Sequence, residues 1–195
     1  MDHILLADGS DFELSPVLGK PPSIATIAHS LSLLCRFTGH TTRFYSVAEH
    51  SLLCFRITQL AFREPSPGLY ACALLHDAAE CITGDIATPL KRILGGDWEF
   101  FNHRVEQHVW AGINERLPRL MEEHQAKIKQ IDLTALWIER RDVMTRGKDS
   151  APWRILDQGN FTPLTTNLFL EPYAFKAPVL TYGEFLRTFQ SLRFA

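Results

Sequence analysis

The chain has 195 residues, 46% hydrophobic and 22% charged, with 20 Lys plus Arg against 22 Asp plus Glu. That length suits one domain with a sizeable core, and the composition excludes disorder, collagen-like repeats and a disulfide-dense mini-protein. A formal charge of −2 is not that of a general nucleic-acid coat or a polybasic membrane binder.

The start alternates weakly, with Ile4, Leu5 and Leu6, then Asp8-Gly9, then Phe12 and Leu14. This predicts a small N-terminal β-hairpin turning at Asp8-Gly9. Residues 16–22 are a connector, and Ser23 N-caps a helix carrying Ile24, Ile27, Ala28, Leu31 and Leu34 at helical spacing. After the polar loop 38–43, Ser46-Val47-Ala48-Glu49 has the form of a capping box. It opens a helix to about residue 62 with His50 in its first turn. Pro65-Ser66-Pro67-Gly68 stops it and starts an almost wholly apolar helix running through Glu80. Further helices are expected at about 97–115, 118–145 and 181–193, with 149–180 as an irregular wrapping segment rich in Pro and Thr. The fold class is mainly α, a helical bundle with a small hairpin.

Cys35, Cys54, Cys72 and Cys81 lie in apolar stretches without CxxC spacing. They read as buried thiols of a reducing compartment. No apolar run reaches transmembrane length and the start has no basic n-region, so a soluble, cytoplasmic protein without membrane contacts is expected.

Three places break the apolar pattern. His76-Asp77 sits in the most apolar helix with Glu80 one turn on, His50 is flanked by Val47, Leu53 and Cys54, and Asp132 falls on the stripe of Ile128 and Leu136. A buried carboxylate without a partner costs several kcal/mol or shifts its pKa. Singly, each has a plainer reading: a hydrogen-bonded core histidine, or an Asp132 ion pair with Arg140 or Arg141. Jointly, His50, His76, Asp77 and Asp132 form an N2O2 set suited to Mn, Co, Fe, Zn or Mg rather than a thiolate-selected ion.

His50, His76-Asp77 and Asp132 resemble the H…HD…D signature of HD-domain phosphohydrolases. The blocks Cys35-Arg36-Phe37-Thr38-Gly39-His40, Phe44 through Ser51, Leu75 through Glu80, Gly84 through Lys91 and Asp132 through Arg141 resemble its YfbR/YfdR-like branch. That branch holds bacterial 5′-deoxynucleotidases, prophage hydrolase-like proteins and phage dATP triphosphohydrolases. The likeness spans about residues 20–145; 146–195 carries little of it.

The resemblance implies a divalent metal held by His50, His76, Asp77 and Asp132, with Lewis-acid chemistry toward a phosphoryl oxygen and water. It gives Glu80 general acid/base work and Asp85 the attacking water; the plainer readings are a solvated helix end and a turn residue. Arg36, Arg43 and Lys91 become phosphate or sugar contacts. Phe37 faces the nucleoside, or is a core phenylalanine; Thr88 and Pro89 shape the base and sugar pocket, or form a plain αα turn. The expected function is removal of one phosphate from a nucleoside monophosphate or of triphosphate from a dNTP. The loop 38–42 is more like the prophage branch than the deoxynucleotidases. Two alternatives stand beside it: a two-metal phosphodiesterase using His103 and His108, and a binding protein without turnover. Phe185, Leu186, Phe189 and Leu192 form one stripe on the last helix, and with Phe161, Phe169, Phe175 and Phe194 they suggest a homo-oligomer contact, or a helix that simply wraps the core.

Overall fold

The N-terminal hairpin turns where Gly9 takes φ 82°, a conformation that costs glycine little. Asp8 Oδ1 accepts from the Ser10 N–H at 3.0 Å, an Asx turn. Strands β1 (His3–Leu5) and β2 (Asp11–Glu13) pair antiparallel with Ile4 opposite Phe12. Asp8 Oδ2 then accepts from Thr26 Oγ1 at 2.9 Å, tying the hairpin to the first helix, and Phe12 is fully buried beneath it. The computed structural model describes residues 2–15, 18–145, 147, 150–157 and 161–192. Pro16 of the connector, Arg193 and Phe194 lie outside them.

Helix α1 (Ile24–Leu33) begins where Ser23 Oγ accepts from the Thr26 N–H, as its sequence predicts. A tight turn at Arg36–Gly39 follows, and a bridge between Cys35 and Ser46 pinches the base of the loop 36–45. Helix α2 (Val47–Ala61) carries the full capping box: the Glu49 N–H donates to Ser46 Oγ at 3.2 Å and the Ser46 N–H to Glu49 Oε2 at 3.3 Å.

The apolar helix expected to run unbroken through Glu80 is interrupted. Helix α3 (Pro67–Leu75) ends before the His-Asp pair, and α4 (Glu80–Thr83) starts after it. Between them the backbone tightens to i→i+3 bonds, from Ala78 N–H to Leu75 O at 3.0 Å and from Glu80 N–H to Asp77 O at 3.0 Å. Such tightening re-aims side chains that an unbroken helix would place elsewhere, and here it falls on the two residues with metal-ligand chemistry.

Helices α5 (Thr88–Leu94), α6 (Gly96–Ile113) and α7 (Leu117–Asp142) follow; α5 was not anticipated, and none of its residues is buried. The wrapping segment holds the short α8 (Arg154–Asp157) and runs along α7, where Leu164 N–H donates to Thr134 Oγ1 and Leu170 N–H to Asp142 Oδ2. Helix α9 (Pro178–Ser191) packs on α1 and α2. Helices α2, α3 and α7 pack together around Leu53, Ile57, Leu69, Ile131, Ala135 and Ile138. Among the described residues, no helix is long and apolar enough to cross a membrane.

The stripe offered as a subunit contact is engaged within its own chain: Phe185 is fully buried, and Leu186, Phe189 and Leu192 pack on the same apolar cluster. Phe185 thus belongs to the core of its own chain, with the other three partly buried against that core. Phe185→Ala should lower unfolding stability by about 3–5 kcal/mol, read from urea denaturation, with the mass by light scattering unchanged. A lowered mass at retained stability would show an interface instead.

Candidate metal centre

The capping box fixes the start of α2 and so places His50 inside the bundle, fully buried. Its Nδ1 lies 2.7 Å from Glu139 Oε1. A carboxylate only accepts, so Nδ1 carries the proton and the Nε2 lone pair faces the other way. His76, at the end of α3, has Nδ1 3.0 Å from the Ala73 carbonyl oxygen, which fixes the same tautomer. The two Nε2 atoms then confront each other at 3.3 Å. Two lone pairs repel at that distance unless a proton or a cation lies between them.

The remaining donors gather at this point. Asp77 Oδ2 is 3.5 Å from both Nε2 atoms, and Asp132 Oδ1 is 3.6 Å from His50 Nε2. An ion with metal–nitrogen and metal–oxygen bonds of about 2.0–2.2 Å sets neighbouring ligands roughly 3.3–3.5 Å apart at tetrahedral angles. Of the residues singled out in the sequence, His76, Asp77 and Asp132 thus each bring a donor atom within 3.6 Å of His50 Nε2. Cys54 joins them: its Sγ is 3.5 Å from His50 Nε2, and the donor atoms of His50, Cys54 and His76 all lie within 4.8 Å of one another. This buried cluster can hold a metal ion.

Behind the donors lies a buried charge network. Glu139 is wholly buried and accepts from Tyr45 Oη at 2.9 Å as well as from His50. Burial opposes its ionisation, but Arg36, the His50 imidazole and these hydrogen bonds hold its carboxyl at about 2. Arg36 is buried between Glu139, with Nε at 3.4 Å, and Asp77, with Nη1 at 3.4 Å. Asp77 stays below the usual carboxylate range because His76, His50 and Arg36 outweigh the burial that raises it. Asp132 is likewise held down against burial by His50, His76 and Lys129, whose Nζ is 3.2 Å away. The alternative partners of Asp132 are committed elsewhere, Arg140 to Asp157 and Arg141 to Asp142.

Glu80 behaves oppositely. Burial, then the charges of Asp77 and Asp85, push its carboxyl well above the usual range. Its Oε2 is buried with no hydrogen-bond partner, and Lys91 Nζ stands 3.8 Å from Oε1. Burial and the two aspartates favour the protonated form of this acid, which is not a solvated helix end.

Asp85 Oδ2 accepts from the Phe37 N–H at 3.2 Å. Phe37 and Thr38 both sit at φ 55°, a left-handed conformation that strains residues with a Cβ. Asp85 thus braces the strained loop that carries Arg36 and Phe37. The Phe37 ring lies 5.2 Å from the Arg36 guanidinium and 6.5 Å from Trp153. Arg43 engages all three side-chain nitrogens within the fold, with Glu49, the Phe44 carbonyl and the Glu171 carbonyl as acceptors. Thr88 and Pro89 are exposed at the start of α5. His103 is exposed and pairs with Glu106, while His108 Nε2 contacts the Gly19 carbonyl at 2.6 Å; neither joins the cluster.

Sequence reasoning missed the parts played by Cys54, Glu139 and Tyr45. Spacing signalled the first two: Cys54 is four residues from His50 and Glu139 is seven from Asp132, which puts each pair on one helix face.

No family model matches the chain. It is 34% identical to the uncharacterized protein YfdR of Escherichia coli over 194 residues, covering 98% of this chain and 96% of that one. It is also 38% identical over 103 residues to an uncharacterized protein of Rhodobacter capsulatus, covering 49% of this chain and 50% of that protein. The chain belongs to the YfdR family.

Glu139→Gln keeps an acceptor for His50 Nδ1 but removes the charge behind it. Affinity for Zn²⁺ or Co²⁺ should fall about 10- to 100-fold with the fold kept, measured by competition with a chromophoric chelator. Unchanged affinity would mean Glu139 serves only to neutralise Arg36.

Proposed function

We propose that this member of the YfdR family is an HD-type, metal-dependent phosphohydrolase acting on the 5′ phosphate or phosphates of nucleotides, deoxynucleotides first among them. The observation that carries the reading is the buried Glu80 carboxyl, whose Oε2 has no hydrogen-bond partner and whose environment favours the protonated form, near the facing histidines, Asp77 and Asp132. A site built only to hold an ion has no need of a proton-bearing acid at its edge. The likeness of the ordered blocks around His50, His76-Asp77 and Asp132 to HD phosphohydrolases supplies the reaction class.

His50, His76, Asp77 and Asp132 would hold the ion, which supplies Lewis acidity toward phosphoryl oxygen and water. The residues of the chain do the rest. Asp85 orients water and takes its proton as the water oxygen bonds to the α-phosphorus. The bond from phosphorus to the 5′ oxygen breaks, and Glu80 passes its proton to that oxygen. Arg36 balances the carboxylates and fixes Asp77, and Lys91, half exposed beside Glu80, is placed to meet a phosphate. Attack at the α-phosphorus serves a monophosphate and a triphosphate alike. Arg43 has no part in this scheme, since its donors are committed within the fold.

Purified protein should be assayed with dNMPs, dNTPs and ribonucleotides in Mn²⁺, Co²⁺, Zn²⁺ and Mg²⁺. Turnover is expected, lost in Asp77→Asn together with the metal and reduced by about 10²-fold or more in Glu80→Gln with the metal retained. No product from any nucleotide by metal-loaded protein contradicts the proposal. Thermal stabilisation by nucleotide without product would identify a binding protein instead.

A further inference from the structure

Among the four cysteines, Cys54 has a distinct place. It stands one turn from His50 on the same face of α2, and both are fully buried. Its Sγ lies 3.5 Å from the Nε2 lone pair of His50, and that nitrogen is 3.3 Å from His76 Nε2. These separations can be tested against coordination geometry. Metal–sulfur and metal–nitrogen bonds of about 2.3 and 2.05 Å, meeting at the tetrahedral angle, set S and N about 3.5 Å apart and two N about 3.3 Å apart. At the right angles of an octahedral ion the same pairs would close to about 3.1 and 2.9 Å. The observed spacings follow the tetrahedral edge.

The donors are also divided by depth. His50 and Cys54 are fully buried and the His76 side chain is 11% exposed. The side chains of Asp77 and Asp132 are 21% and 27% exposed. Imidazole and sulfur therefore form the closed back of the cluster and the carboxylates its open side. An ion drawing on both faces meets the thiol whenever it meets His50 Nε2.

We propose that Cys54 Sγ is a ligand of the ion, completing a His50–His76–Cys54 back wall that leaves one tetrahedral position on the open, aspartate side, and that the centre selects a thiophilic divalent ion (Zn²⁺, Co²⁺ or Fe²⁺) over Mg²⁺ and Mn²⁺. Coordination breaks the S–H bond, forms the sulfur–metal bond and releases the proton to solvent. This departs from the N2O2 set read in the sequence, which admitted Mg and Mn and excluded sulfur. It concerns the metal and not the reaction, so it stands or falls without turnover.

The test is optical. Metal-free full-length protein loaded with one equivalent of Co²⁺ should show a near-ultraviolet sulfur-to-cobalt charge-transfer band. A triple variant, Cys35→Ala, Cys72→Ala and Cys81→Ala, keeps Cys54 as its sole thiol and should retain the band. Cys54→Ser, or Cys54→Ala if serine unfolds the core, should lose it, with the preference for Zn²⁺ over Mn²⁺ falling about tenfold or more by chelator competition. No band in the cobalt-loaded wild type, no band in the triple variant, or a band surviving loss of Cys54 would each overturn the proposal. Should both Cys54 variants fail to fold, the wild type and the triple variant decide it.

Discussion

Three ionised carboxylates share one interior space with two imidazoles, and this concentration of negative charge is the constraint around which the molecule is built. Asp77, Asp132 and Glu139 are all held ionised against burial. Removing such groups from water costs several kcal/mol each unless opposite charge stands beside them. Arg36 faces two of them from within the fold, and Lys129 faces the third from the rim. Between the carboxylates the two imidazole Nε2 atoms face each other at 3.3 Å, a gap that one proton or one cation must fill. A divalent cation at that point would relieve both the facing lone pairs and the uncompensated charge. Burial first, and then the nearby Asp77 and Asp85 charges, raise the Glu80 carboxyl above the usual range.

Each element that builds the core also aims part of this network. The Ser46–Glu49 capping box fixes the start of α2, and with it His50 and Cys54. The break between α3 and α4 turns His76 and Asp77 out of an otherwise apolar helix, leaving Glu80 at the start of the next. Helix α7 contributes at two levels: Asp132 to the donors and, two turns on, Glu139 to the rear of His50. The apolar contacts of Ile131, Ala135 and Ile138 with α2 and α3 lock those levels in register. The strained turn at Phe37 and Thr38, braced by Asp85, closes the site on the side where Arg36 enters.

Much of the fold was legible because its signals are local. The Asp8-Gly9 turn, the Ser23 cap, the capping box of α2 and the helical spacing of α1 all depend on neighbouring residues. The candidate ligands stood out for the opposite reason: His50, Asp77 and Asp132 contradict their apolar surroundings. What escaped was decided by tertiary contact. Helix spacing could not reveal the tightened turn at 76–79. Cys54 passed as an ordinary core thiol because an apolar neighbourhood is where cysteine is usually found. The partners of Arg43 on α2 and the wrapping segment are also set by tertiary contact. The burial of Phe185 on the α9 stripe is likewise set by packing on α1 and α2, which helical spacing alone does not specify.

The central claim is that one cation binds between the facing histidine nitrogens. Crystals grown with Co²⁺ or Zn²⁺, measured at the absorption edge of the metal, test it most directly. The account predicts one anomalous peak per chain, about 2.0–2.2 Å from Nε2 of both His50 and His76. A peak elsewhere, or none at a concentration that saturates the protein in solution, would contradict it.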